Sequence, residues 1–362
     1  MAALQEYKCP CCGGSIEWNS SLQRLKCPYC DTEFDQATLE SFDEDQKNDV
    51  EDDMSWQTQA GTGWAAGETD NMRVFTCKSC GGEIIGDKEM AATSCPYCGN
   101  SVVVPSQFKG DLRPDFIIPF KTDKKQAKEG LRRHLQGKSL LPRVFKDENH
   151  IDEIKGIYVP FWLFDAEAEA VARFKATTTN RWREADANCT ETKYFQVTRH
   201  GRMQFEHVAC DGSSKMDDQM MESIEPFDFK DAVPFNTGYL AGYFADCYDV
   251  TAEQSIERAN NRIRNSMHSV MQNSVTGYES VQEESCKIRL NNATAKYALY
   301  PVWVLNTNWK GKIYPFCMNG QTGKFIGDLP VDESAAGKMF AKVAVGVGLV
   351  AFAASYLIWM LM

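Results

Sequence analysis

Eight cysteines constrain this chain more than any other feature. Cys9, Cys12, Cys27 and Cys30 read Cys-x2-Cys, fourteen residues, Cys-x2-Cys, and Cys77, Cys80, Cys95 and Cys98 repeat that spacing 68 residues later. The neighbours repeat as well. Cys12-Gly13-Gly14-Ser15-Ile16 answers Cys80-Gly81-Gly82-Glu83-Ile84, and Cys27-Pro28-Tyr29-Cys30 answers Cys95-Pro96-Tyr97-Cys98. Zinc takes four soft ligands in a tetrahedron, and two such knuckles brought together by a hairpin supply four thiolates at about 2.3 Å. Proline inside a knuckle and glycine after it suit the tight turn that aims both sulfurs at one metal. The expectation is two zinc ions, each in a four-cysteine ribbon. Disulfides are disfavoured, because the spacing is metal-like and nothing else points to an oxidising compartment. A site closed by four thiolates leaves no position for water or substrate. Its zinc stabilises folding, by an apparent ~10 to 16 kcal/mol in zinc-finger peptides, and does no chemistry.

The other six cysteines, Cys11, Cys189, Cys210, Cys247, Cys286 and Cys317, have no metal-like spacing and are expected to be mostly small buried residues. The net charge of −11 is local: residues 35 to 70 hold eleven acidic residues and one lysine, so the remainder is nearly neutral. The organisation read from these shifts is a first ribbon over 1–34, an acidic linker over 35–73, a second ribbon over 74–104, an α+β domain over 105–330, a juxtamembrane linker over 331–342 and a terminal span over 343–362. Like charge and the glycines of Gly61-Thr62-Gly63-Trp64 predict an extended, mobile linker, with Trp56 and Trp64 as the residues that could anchor a partner.

In the α+β region, Asp115-Phe116-Ile117-Ile118-Pro119-Phe120 reads as a short buried strand. Thr122 follows as a helix cap, and Ala127, Leu131 and Leu135 form one apolar stripe. Gly156 to Phe164 is a strongly apolar strand. Alternation continues over Glu167 to Lys175 and Lys193 to Cys210, with a hairpin turn expected at Arg199-His200-Gly201-Arg202. The later half echoes this order. Thr251 and Gln254 make a capping box, and Ala252, Ile256, Ala259, Ile263, Met267 and Val270 mark a helix stripe. Tyr300-Pro301-Val302-Trp303 then answers Val159-Pro160-Phe161-Trp162. The expectation is a duplicated strand-helix-strand unit.

Val343 to Met362 are twenty uncharged, mostly apolar residues, about 30 Å of helix, which matches a bilayer core. Lys338 and Lys342 on the entry side place the N-terminal bulk in the cytoplasm, giving a single-pass cell-membrane protein with a tail anchor. Ala344, Gly348, Ala351 and Ser355 form a small-residue stripe that would let a second helix approach.

Motifs for chemistry are missing. Gly137-Lys138-Ser139 has Arg132 where a phosphate loop needs glycine, and Gly323-Lys324 has Met318 there and Phe325 after the lysine. The five histidines lack paired spacing, so no enzymatic activity is expected. Nucleic-acid binding needs clustered cations, yet each ribbon is net −1 and the linker is acidic, so protein partners are favoured over a polyanion.

The knuckles, Ile117-Ile118-Pro119-Phe120, Gly156-Ile157-Tyr158-Val159-Pro160-Phe161-Trp162, Glu225-Pro226-Phe227-Asp228, Tyr239-Leu240-Ala241-Gly242-Tyr243 and Asn319-Gly320-Gln321-Thr322-Gly323-Lys324 resemble bacterial transcription-factor-IIB-type zinc-ribbon proteins. Some members carry a replication-restart-helicase name, but the motor motifs it would require are missing here. The chain looks like a membrane-anchored branch found in a Bacillus envelope-stress operon beside phage-shock-protein-A-like and SPFH-domain proteins. That resemblance implies a membrane adaptor recruiting soluble partners. The competing expectation is a membrane-tethered nucleic-acid-binding regulator.

Overall fold

The computed structural model describes residues 8–40, 50–58, 60–87, 94–100, 103–106, 112–184 and 186–361. The chain divides into two compact units. One comprises Met1–Gln57, Phe164–Val208 and Ile256–Thr294, the other Thr58–Leu163, Ala209–Ser255 and Ala295–Met362. The region 105–330 is therefore shared between both, because its two 30-residue strands, Lys155–Glu184 and Ser280–Trp309, each give one stretch to either unit.

The first unit contains the first ribbon and a helix-covered sheet. In the ribbon, Glu17–Asn19, Arg24–Lys26 and Glu33–Phe34 form an antiparallel sheet over Cys9, Cys27, Phe34 and Leu39. In the sheet, Ala166, Ala168, Ala170, Ala172, Phe174 and Ala176 alternate inward, as a strand's period of two requires. Small residues at five of these six positions let the helix Ala252–Asn273 bring Ile263, Met267 and Met271 close to the strand. The stripe expected through Val270 turns instead through Met271, four residues after Met267; Val270 is 50% exposed. The return strand Ala187–Asp211 runs unbroken through Arg199-His200-Gly201-Arg202, where a turn was expected. Met271 lies against Gly201: a Cβ there would stand 2.5 Å from the Met271 methyl.

Part of the acidic segment is also ordered in this unit. Asp53 and Gln57 bridge in parallel to Arg289 and Thr294, and Asp52 accepts from the Ile288 amide at 3.0 Å. Trp56 stands edge-on to Phe164 at 4.9 Å and donates to Asn260 at 2.7 Å. Hydrogen bonds to an open strand edge outweigh the local charge repulsion.

In the second unit the sheet order is Val233–Pro234, Phe116–Ile117, Ser280–Trp309, Lys155–Glu184, Phe244–Asp246, Glu83–Asp87, Met72–Cys77, Val103–Ser106. Its centre is a duplication. Phe116–Ile117 precedes the helix Lys124–Leu135 and the strand bearing Pro160-Phe161-Trp162; Phe244–Asp246 precedes the helix Ala252–Asn273 and the strand bearing Pro301-Val302-Trp303. Each short strand pairs in parallel with the other copy's long strand. Phe116 faces Ala298 and Phe244 faces Ile157, both five residues before the tryptophan. Trp303 Nε1 donates to Thr122 Oγ1 at 2.9 Å, and Trp162 Nε1 to the Val250 carbonyl at 2.8 Å. Gly320 and Gly212 each donate to the carbonyl of Pro301 or Pro160 at 2.8 Å. Each also accepts from the two residues before a helix cap, Lys121 and Thr122 or Asp249 and Val250. The cap of the first helix is thus Asp123, in a capping box with Gln126, because Thr122 is held by Trp303 and the Gly320 carbonyl. Thr251 and Gln254 form the expected box on the second.

Of the acidic segment, residues 41–49 and 59 lie outside the described residues; the described stretch from residue 60 is tied down here. Thr62 bridges to Arg113, Glu68 pairs with Arg113 at 2.9 Å, and Trp64 stands edge-on to Phe235 at 5.7 Å. The terminal helix, Glu333–Leu361, starts ten residues before Val343. Asp332 caps it by accepting from the Ser334 amide at 3.0 Å, so most of the expected 331–342 linker is helical.

Candidate metal centres

Each ribbon gathers its four sulfurs at a single point. Cys9, Cys12, Cys27 and Cys30 form one group and Cys77, Cys80, Cys95 and Cys98 the other, with all ligand atoms of a group within 4.8 Å of one another. Tetrahedral zinc with 2.3 Å bonds requires sulfurs about 3.8 Å apart. The closest pairs are Cys9 to Cys30 at 3.6 Å, Cys12 to Cys27 at 3.5 Å, Cys77 to Cys98 at 3.6 Å and Cys80 to Cys95 at 3.7 Å. The donor set and its dimensions fit two zinc ions, and no other cluster of this kind occurs among the described residues.

The knuckle backbone explains the spacing. In the first ribbon the Asp31 amide donates to the Cys27 carbonyl at 3.0 Å; in the second, the Gly99 amide donates to Cys95 at 2.9 Å. The turns at Gly13 and Gly81 lie at φ of 73° and 71°, a region that glycine enters without steric cost. The Thr32 hydroxyl, 3.2 Å from the Cys30 sulfur, lowers that thiol to about 6, while burial pushes Cys9 and Cys95 up. Bound zinc removes the remaining thiol protons and closes the fold around itself.

The two ribbons differ in their surroundings. Glu83–Asp87 of the second ribbon is a strand of the large sheet: Ile84 and Ile85 pair with Asp246 and Ala245. Asn306 Nδ2 donates to the carbonyls of Pro96 and Tyr97 at 2.5 Å, and the Lys155 ammonium donates to Ser94. These grips could not be read from spacing, since Asn306 lies 209 residues from Tyr97. Of the remaining cysteines, Cys210 and Cys317 are buried and Cys11 is exposed.

The family-like segments meet in the second unit and build its frame. Asn319 Nδ2 donates to the carbonyls of Ile224 and Pro226 at 3.0 and 3.1 Å, and Gln321 holds both the amide and the carbonyl of Asp228. Phe120 stacks on Tyr243 at 4.1 Å and stands edge-on to Tyr158 and Trp303. One helix among the described residues, Glu333–Met360, is long and apolar enough to cross a membrane. Its most apolar window has a mean hydropathy of 2.1 and is 0% buried.

Two four-cysteine ribbons on a mixed α+β frame, with an apolar C-terminal helix, define a double zinc-ribbon protein with a candidate membrane span. No protein-family model and no solved structure matches the chain. It belongs to the family of the Bacillus subtilis (strain 168) protein named "Uncharacterized protein YdjG", to which it is 31% identical over 340 residues, 94% of each chain.

Proposed function

We propose that the protein is a non-enzymatic, membrane-anchored zinc-ribbon adaptor of the transcription-factor-IIB type, which recruits cytoplasmic protein partners to the bilayer in the response to envelope stress. The observation that carries this reading is the terminal helix. A 28-residue apolar helix with none of its most apolar window buried is costly in water and stable in lipid. Lys338 and Lys342 precede the span and favour a cytoplasmic N-terminal bulk. The small residues Ala344, Gly348, Ala351 and Ser355 are exposed along the helix, where a second helix could approach. Closed four-thiolate sites suit a recognition module rather than a catalyst. Net-negative ribbons disfavour a nucleic-acid regulator.

The test is a detergent pull-down with the full chain beside the Cys27→Ser, Cys95→Ser double variant. The adaptor reading expects a protein retained by the full chain and lost with the variant. Recovery of the same proteins by both, or of none by either, contradicts it.

A further inference from the structure

One Cys-Pro-Tyr-Cys knuckle of this chain is gripped by its own fold, while the tip of its twin is exposed. In the second ribbon the Tyr97 ring lies over Gly82, where a Cβ would come within 2.7 Å of it, and packs against the apolar cluster that includes Phe75, Ile84 and Phe244. Its phenol is buried without a hydrogen-bond partner. Asn306 reads the two carbonyls of Pro96 and Tyr97. In the first ribbon the Tyr29 ring lies over Gly14 in the same way, a Cβ there coming within 2.5 Å of it. The Cys27 amide donates to the Thr32 carbonyl as the Cys95 amide does to Asn100, so the two tips share one conformation. Yet Tyr29 is 74% exposed, and Pro28 is exposed beside it.

We propose that the Pro28-Tyr29 tip is the docking point for a second protein, whose binding slot repeats the chemistry with which Asn306 and the apolar cluster surround Tyr97. That partner presents an apolar slot the size of a tyrosine ring and a side-chain amide that donates to two successive carbonyls. It differs at one place. Lys26 stands where the second ribbon has Ser94, the residue that Lys155 grips, and Lys26 is already paired with Asp31 of its own ribbon at 3.0 Å, so the partner needs no counterpart of Lys155 there. Zinc fixes the geometry of the tip, which makes docking metal-dependent. The inference rests on the adaptor reading and narrows it to one ribbon, since the tip of the other is consumed by the fold.

The test uses the full chain in native membranes with a photoreactive p-benzoylphenylalanine in place of Tyr29 and, separately, of Trp182, an exposed aromatic on the same unit. The expected result is one cross-linked protein from position 29 and none from position 182. It should be joined through a peptide bearing a side-chain amide, and be lost with Cys27→Ser. Tyr29→Ala should weaken its capture by about tenfold or more while keeping two zinc ions per chain and an unchanged Tm. Cross-links to lipid, to a second copy of the chain, or equally from both positions overturn the proposal. So does binding of a labelled single-stranded oligonucleotide that is lost with Tyr29→Ala. If the full chain pulls down a protein and Tyr29→Ala retains it, the tip is refuted and the adaptor reading stands. If neither pulls anything down, both fall.

Discussion

Burial raises the Asp246 carboxyl to about 7, against the opposing pull of the Ser213 hydroxyl. A free aspartate titrates near 3.9, so the folded chain holds this proton more tightly than the unfolded one. The stability this provides is present in full below about pH 4 and is lost as the pH rises through 7. Asp246→Asn keeps the shape and removes the charge. Its Tm relative to the parent should therefore be higher at pH 8 than at pH 6, by about 2 to 4 °C, as read by thermal unfolding at both values; an equal difference at the two would count against this account. Gly320 is a second decisive residue. A Cβ there stands 2.6 Å from the Phe120 ring and 2.8 Å from Pro301, so Gly320→Ala should cost about 1 to 3 kcal/mol in urea unfolding. An unchanged midpoint would show that Phe120 can move aside. Neither residue declares itself in sequence. Asp246 looks like any polar strand end, and Gly320 like any turn glycine, because their neighbours come from distant stretches of chain.

At the scale of elements, what could be read was what local periodicity fixes. Ala127, Leu131 and Leu135 are buried as spaced, and the eight zinc cysteines gather in the two groups their spacing implies. Long strands were less legible. Gly201 beside Arg199 and His200 mimics a turn, yet the strand runs through it with Met271 packed on its open face. The acidic segment misled for a similar reason: composition cannot show that an open strand edge waits for Asp53 and Gln57. The ribbons, identical as motifs, diverge as elements: among the described residues the first forms its own three-stranded sheet, while the second joins the large sheet, where Glu83–Asp87 pairs with Ala245 and Asp246. Metal analysis should return about two zinc ions per chain. A chelator should remove them in two phases at least about tenfold apart, because the second ion can leave only when a sheet edge opens. Cys27→Ser should abolish the fast phase and Cys95→Ser the slow one; a single phase would mean that the sheet lends its ribbon no protection.

At the scale of the whole molecule, the duplicated strand-helix-strand order was visible in the recurrence of Pro-x-Trp after a capped helix. Its division into two units was not. Two 30-residue strands serve both units in turn, and no break in sequence marks where either passes from one to the other. The terminal helix was legible because hydrophobic length alone decides it, although its start at Glu333 depends on the Asp332 cap. The claim that joins these scales is that the helix holds a partner-binding ribbon at a bilayer. Vesicle flotation tests it most directly, with the protein captured by the full chain mixed either with that chain in lipid vesicles or with a form ending at residue 331. The account predicts that the captured protein floats with the full chain and stays at the bottom with the shortened one. Flotation with both, or with neither, would contradict it.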